Sequence, residues 1–393
     1  MLRSKVFAIA AGIYILGSQC GAPARADDEF LASLRLRGGY DSNPQFTSGG
    51  SPIGSAYIAT DVALAAAGRG ENTSWGVVAE ASGTRYANAH LLPALTGKVI
   101  LRGSMGDDAL RISSTTTIAD VNTYNLRSTD LLQAIKVESL QNSVKLFVTA
   151  EGGQSSINQT NVIFQDFLPT PLQYWRGAII PGISVIRDKT EVGVSVNLSA
   201  RRYTEELDTF GYRRDNERVQ PFLFAKYDGE TITAQASISQ LYGFFHDVDF
   251  TNVNRTMFEA SLTWRLKPVT LDFLATRRAA ETSFPISPIT VDSIYSAKAA
   301  WQVDPKLTLT AGAAYATMEY LDSPFRTETY SLGIGMSREI AKDLKWGMDV
   351  SRTWGTLLDG EKTQAIIVAS SLTKTFSPDL AKAKTDETVR PLK

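Results

Sequence analysis

Forty Lys and Arg against 41 Asp and Glu give this 393-residue chain a net charge of −1, which excludes the bulk attraction that nucleic-acid binding draws on. The single cysteine, Cys20, lies near the start, so the remainder holds neither a disulfide framework nor a thiolate site. Mean hydropathy is −0.10 and no run of about twenty apolar residues follows the first 26, which excludes a helical membrane anchor.

Residues 1–26 read as a secretory signal. Arg3 and Lys5 supply a positive start, Val6–Gly17 a short apolar core, and Ala24-Arg25-Ala26 a small-x-small site with cleavage before Asp27. Cys20 is preceded by Gln19 where a lipoprotein box needs a small residue, which argues against lipidation.

From there the chain alternates at period two. In 190–203 the apolar set is Val192, Val194, Val196 and Leu198; in 268–279 it is Val269, Leu271, Phe273 and Ala275; in 306–317 it is Leu307, Leu309, Ala311, Ala313 and Tyr315. Adjacent residues of a strand point to opposite faces, so each ribbon has an oily and a polar side. Ribbons of about 10–13 residues suit a tilted bilayer crossing. Eighteen strands are expected, with sixteen as the alternative count. The gaps between them alternate. Tight ones such as 140–142, 187–189 and 339–343 separate long ones such as 41–54, 120–130, 152–172, 203–218 and 279–292. Outer-membrane barrels sort their connections this way, with short periplasmic turns and long external loops. The expectation is therefore an all-β, up-and-down antiparallel transmembrane barrel over 27–376, with a polar periplasmic tail over 377–393.

Tryptophans fit that topology. Trp75, Trp264, Trp301 and Trp346 fall beside short turns, and Trp175 and Trp354 beside long loops, as do Tyr40, Tyr57, Tyr86, Tyr203, Tyr242, Tyr295 and Tyr315. Two lipid-facing girdles follow, because amphipathic rings prefer the headgroup level. Leu271 and Val196 are expected near mid-membrane on the oily face, with Asp272 and Asn197 inside. Phe376 ends the last strand and is similar to the terminal aromatic read by barrel-assembly machinery. Outer-membrane lipid and lipopolysaccharide are the expected surrounding partners.

The segment Leu34–Pro44 is an alternating strand that runs into Tyr40-Asp41-Ser42-Asn43-Pro44. It resembles the opening of the Gram-negative outer-membrane proteins called "putative β-barrel porin 2". The resemblance implies an outer-membrane barrel, with a tie to exopolysaccharide production in some members. It carries over no catalytic residue.

Chemistry is sparse. His90 and His246 stand in expected external loops outside any nucleophile motif, and no ligand spacing for a metal is present. No catalytic residue, cofactor or metal is expected. The loop 203–218 carries Glu205, Glu206 and Asp208 beside Arg213 and Arg214, read first as a solvated loop with internal ion pairs. The inward face is richer in base than acid. Arg35, Arg37, Lys98, Arg102, Arg111 and Lys145 are the candidate pore-lining set, and Arg352 and Lys374 are placed on the same face. Asp61, Glu80, Glu191 and Asp349 are among fewer acids. A water-filled lumen tolerates such charges, and a basic excess biases it toward anions. The other reading of the same residues is a set of ion pairs bracing the wall. The functional expectation is a porin-like channel for hydrophilic, anion-biased solutes or a polysaccharide. Its alternative is a loop-plugged barrel that assists surface-polymer assembly.

Overall fold

The computed structural model describes residues 29–47, 52–91, 93–107, 109–122, 126–159, 171–283, 287–358 and 360–376. The expected signal and tail lie outside them. Nine strands come first: β1 (Glu29–Asp41), β2 (Ser55–Arg69), β3 (Thr73–Tyr86), β4 (Ala94–Gly106), β5 (Arg111–Asn122), β6 (Leu126–Gln141), β7 (Val144–Gln159), β8 (Leu172–Arg187) and β9 (Thr190–Tyr203). Then follow β10 (Asn216–Asp228), β11 (Ile232–Phe245), β12 (Val253–Leu266), β13 (Val269–Glu281), β14 (Ile289–Asp304), β15 (Leu307–Tyr320), β16 (Arg326–Ala341), β17 (Leu344–Thr356) and β18 (Lys362–Phe376). Each pairs antiparallel with its sequence neighbours in one 18-stranded sheet. The ladder from Ala32 opposite Phe376 to Asp41 opposite Ile367 joins β1 to β18 and closes the barrel. Closure leaves no unpaired edge, which hydrocarbon would not tolerate.

Tight turns gather at one end. Asn142, Asp188 and Asp343 take φ values of 56°, 52° and 57° in two-residue hairpins, a left-handed conformation that Asn and Asp tolerate. Asp107 accepts from the amides of Ala109 and Leu110 at 2.9 and 3.0 Å, and Asp304 from those of Lys306 and Leu307 at 2.7 and 2.9 Å. Those amides hold the Asp107 carboxyl below the usual range. The long connections lie at the other end.

Two expected loops are corrected. β5 runs to Asn122 and β6 starts at Leu126, so most of 120–130 is strand; β7 runs on to Gln159, well into 152–172. Ladder hydrogen bonds continue above the membrane, where Ser155, Ser156 and Asn158 no longer alternate with apolar residues. The period-two signal stops before the strand does.

Directly opposed residues share a face, so register sorts inside from outside. Leu36, Leu101, Leu146, Val194 and Phe273 are exposed on the outer wall. Trp75, Trp264, Trp301 and Trp346 stand on that wall beside the tight turns, with Trp264 directly opposite Leu271. Leu271 therefore lies at the inner girdle rather than mid-membrane. At the outer level Tyr295, Tyr315, Tyr330 and Trp354 stand opposite one another in register on four strands, stacked at centroid distances of 6.1, 4.8 and 5.8 Å. Tyr57, Tyr86 and Tyr203 do not join this girdle. Their register places them with inward residues, Tyr57 opposite Tyr86 and Tyr203 opposite Tyr174. A ring near a strand end does not reveal its side until register is known.

A small polar cluster faces the membrane on β5 and β6. Gln133 on β6 donates to Ser114 Oγ at 2.8 Å and accepts from Thr116 Oγ1 at 2.5 Å. These bonds satisfy the amide where lipid offers no partner.

Candidate functional site: a charged lumen beneath an inward-folded hairpin

Register places all six basic candidates on the inner wall and divides them by their surroundings. Arg37 forms a two-pronged pair with Asp61, both contacts at 2.8 Å, and Ser82 Oγ donates to the same carboxylate at 2.6 Å. Arg35 reaches Asp349 at 3.1 Å and Ser371 Oγ at 3.3 Å. Lys145 pairs with Glu191, which also accepts from Ser184 Oγ at 2.7 Å. These three brace strands one or two places apart in the wall. Lys98, opposite Glu80, and Arg102, opposite Gly76 and Thr115, are exposed and enter no ion pair among the described residues. Arg111 stands opposite Glu138. Arg352 and Lys374 are corrected to the outer wall. Arg352 lies over the Trp354 ring, 5.5 Å from its centroid, and Lys374 stands opposite Leu34 with its ammonium on the Lys342 carbonyl. Near strand ends long basic side chains reach the headgroups with their stems in the oily layer.

The second component lies at the outer mouth. β13 pairs with β12 only from Val269 to Arg277, while β13 and β14 stay paired up to Glu281 opposite Ile289. Beyond Arg277 β13 parts from β12, and the hairpin, still paired with β15 up to Thr290 opposite Tyr320, packs inward. Ile289 and Val291, at 0 % and 2 % exposure, share a buried cluster with Leu241, Val253 and Met257 from the inner faces of β11 and β12 and with Leu321. Burying such side chains favours the docked position by about 1.5–3 kcal/mol each.

Polar anchors fix it there. Glu281 accepts from Arg201 Nε at 2.7 Å, Arg218 Nη2 at 2.5 Å and Tyr203 Oη at 2.8 Å. All three partners are inward residues of β9 and β10, beyond β11 and β12 from the hairpin. Arg218 is steadied by Asn216, which accepts from its Nε at 2.9 Å. Arg214, 3 % exposed, bonds Asp208 at 2.7 Å and donates to the carbonyls of Thr282 at 2.7 Å and Ser287 at 3.4 Å. Its guanidinium lies 5.8 Å from the Phe250 ring centroid. The loop after β9, backed by Phe250 of the loop after β11, thus clamps the hairpin's tip. Glu281 stands beyond the aromatic row, outside the membrane. Burial pushes its carboxyl upward, but the Arg218 and Arg201 guanidiniums and the Tyr203 and Arg218 hydrogen bonds outweigh that and hold it below the usual range.

Sequence reasoning missed this clamp. It assigned 279–292 to an external loop and read Asp208 and Arg214 as solvated. The available signal was the apolar pair Ile289 and Val291, which an exposed loop has no reason to carry. His246 bonds Glu217 at 2.7 Å. Among the described residues no group of three His, Cys, Asp or Glu side chains is placed to hold a metal.

A closed 18-stranded barrel with an oily girdled exterior, a charged interior and sorted connections defines an outer-membrane β-barrel of the porin type. Residues 185–368 match the family described as "Putative beta-barrel porin 2". No curated protein sequence matches the chain. Similar solved structures include Acinetobacter baumannii OccAB3, at 10 % identity and TM-score 0.44, covering 89 % of this chain and 99 % of that one. Pseudomonas aeruginosa OpdK is similar at 8 % identity and TM-score 0.46, with the same coverages of 89 % and 99 %. The FrpB iron transporter of Neisseria meningitidis is similar at 7 % identity and TM-score 0.45, covering 84 % of this chain and 63 % of that one.

Proposed function

We propose that this barrel is an outer-membrane channel for small hydrophilic solutes, with a preference for anions. Residues 1–26 then direct export and are removed after Ala26. The observation that carries the reading is the inner wall itself, where Lys98 and Arg102 stay exposed without ion-pair partners among the described residues while Arg35, Arg37 and Lys145 are neutralised locally. Unpaired cations on a low-dielectric wall raise the local anion concentration, and salt screens the effect over about 8 Å at physiological strength.

The docked hairpin supports narrowing at the outer mouth. A polysaccharide chain would have to pass the clamp at Glu281, so this geometry favours small solutes over polymer export. A loop-plugged barrel that assists surface-polymer assembly is the second reading, and the same clamp favours it. Reconstitution into planar bilayers separates the two. The channel predicts discrete conductance steps with an anion-directed reversal potential in a salt gradient. Silence from barrels shown to be inserted and heat-modifiable would favour the plug.

A further inference from the structure

A cavity of about 320 Å³ opens in the inner wall, lined in part by Lys136, Lys145, Phe147, Glu191, Phe224 and Lys226. These residues belong to β6, β7, β9 and β10 near the tight turns, so the cavity sits in the periplasmic half of the lumen. Its floor is aromatic. The rings of Phe147 and Phe224 lie 6.1 Å apart at 60°. Each rests on a glycine of a neighbouring strand: a Cβ on Gly182 would come within 2.3 Å of the Phe147 ring, and one on Gly193 within 2.5 Å of the Phe224 ring. Any other residue at 182 or 193 would displace a ring. The platform is a built feature of β8 and β9, not a chance of two side chains.

The charges around it are unevenly committed. Lys136 pairs with Glu138 at 2.5 Å and has its ammonium 5.2 Å from the Phe147 centroid. Lys145 and Ser184 occupy the Glu191 carboxylate. Lys226, opposite both Glu191 and Gln235, is exposed and is left without an ion pair among the described residues. Glu259 stands at the far side of the cavity, opposite Ser237.

We propose that this cavity binds a monoanionic solute with a planar ring, an aromatic carboxylate, with its ring on Phe147 and Phe224 and its carboxylate on Lys226. Ring-on-ring contact and a charge-assisted hydrogen bond are additive here because Lys226 follows Phe224 by two positions and shares its face. Glu259 disfavours a second negative charge on the solute. The proposal deepens the channel reading by naming a solute class for the lumen.

Benzoate, with acetate and phthalate for comparison, tests it by equilibrium titration of the detergent-folded barrel, which reads the site whether or not the barrel conducts. Benzoate should bind and acetate should not, with phthalate weaker than benzoate. Lys226→Gln and Phe224→Leu should each weaken benzoate by roughly tenfold, and Lys226→Arg should retain it. Heat-modifiable mobility confirms that each variant is folded. Equal binding of acetate and benzoate, or unchanged binding in folded Phe224→Leu, overturns the site. Benzoate binding with no conductance in bilayers would keep the site and reject the channel.

Discussion

At the scale of single residues, Glu281 ties the hairpin to β9 and β10 at once. Of its two guanidinium partners, Arg218 is buried at 4 % exposure and Arg201 is half-buried. Removing one member of a buried ionic network costs about 3–5 kcal/mol, because the others stay desolvated and unpaired. Glu281→Gln should therefore loosen the hairpin and raise single-channel conductance, while Glu80→Gln on the open wall should not. Equal conductance in Glu281→Gln and the parent would mean the hairpin does not narrow the path. The pH dependence has a definite sign. A carboxyl held below its ordinary value of about 4.3 contributes docking stability that is complete above that value and lost as pH falls through the depressed one. Conductance should stay flat between about pH 7 and 5 and rise only below about pH 4. A rise already complete by pH 5 would contradict the clamp.

The wall charges make a second residue-scale case. Arg35 and Arg37 each have a carboxylate in contact, whereas Lys98 and Arg102 have none among the described residues. Reversing Lys98 and Arg102 to Glu should move the reversal potential toward cations more than reversing Arg35 and Arg37, which should instead lower stability. The shift should be larger in dilute than in concentrated salt. Identical shifts from both pairs would show that pairing does not decide which charges the solute meets.

At the scale of strands, alternation made most of the barrel legible. β9, β13 and β15 stand almost where Val192–Leu198, Val269–Ala275 and Leu307–Tyr315 placed them, because half the wall meets lipid and half meets water. Legibility failed where that contrast fades. β7 continues through Ser155 and Asn158 above the membrane, and β14 begins at Ile289 rather than at 292 because its first residues are buried on the hairpin. Facing was secure in mid-strand, as for Val196 outside and Asn197 inside, and insecure at ends, as for Tyr57 and Arg352. Val196, opposite Pro221, remains a mid-membrane position. Val196→Arg should destabilise the folded barrel by about 2–4 kcal/mol in denaturant titration, and Asn197→Arg by much less. Comparable losses would invert the face assignment of β9.

At the scale of the whole molecule, what the pattern did not contain was contact between distant segments. Period two reveals a wall, but it does not reveal that Glu281 of one hairpin meets Arg201 and Arg218 from two strands on another arc, or that Gly182 and Gly193 seat two phenyl rings. Those depend on closure and on where loops turn, which local alternation cannot encode. The central claim is that ions travel through the lumen past the unpaired basic residues. The most direct measurement is covalent modification of single cysteines in a conducting bilayer, on a chain expressed from Asp27 onward, which lacks the one native cysteine, Cys20. Arg102→Cys, on the inner wall, should react with a charged membrane-impermeant thiol reagent and lower the current in discrete steps, whereas its outward neighbour Leu101→Cys should leave the current unchanged. Equal responses at both positions, or complete modification of Arg102→Cys with no change in current, would contradict the account.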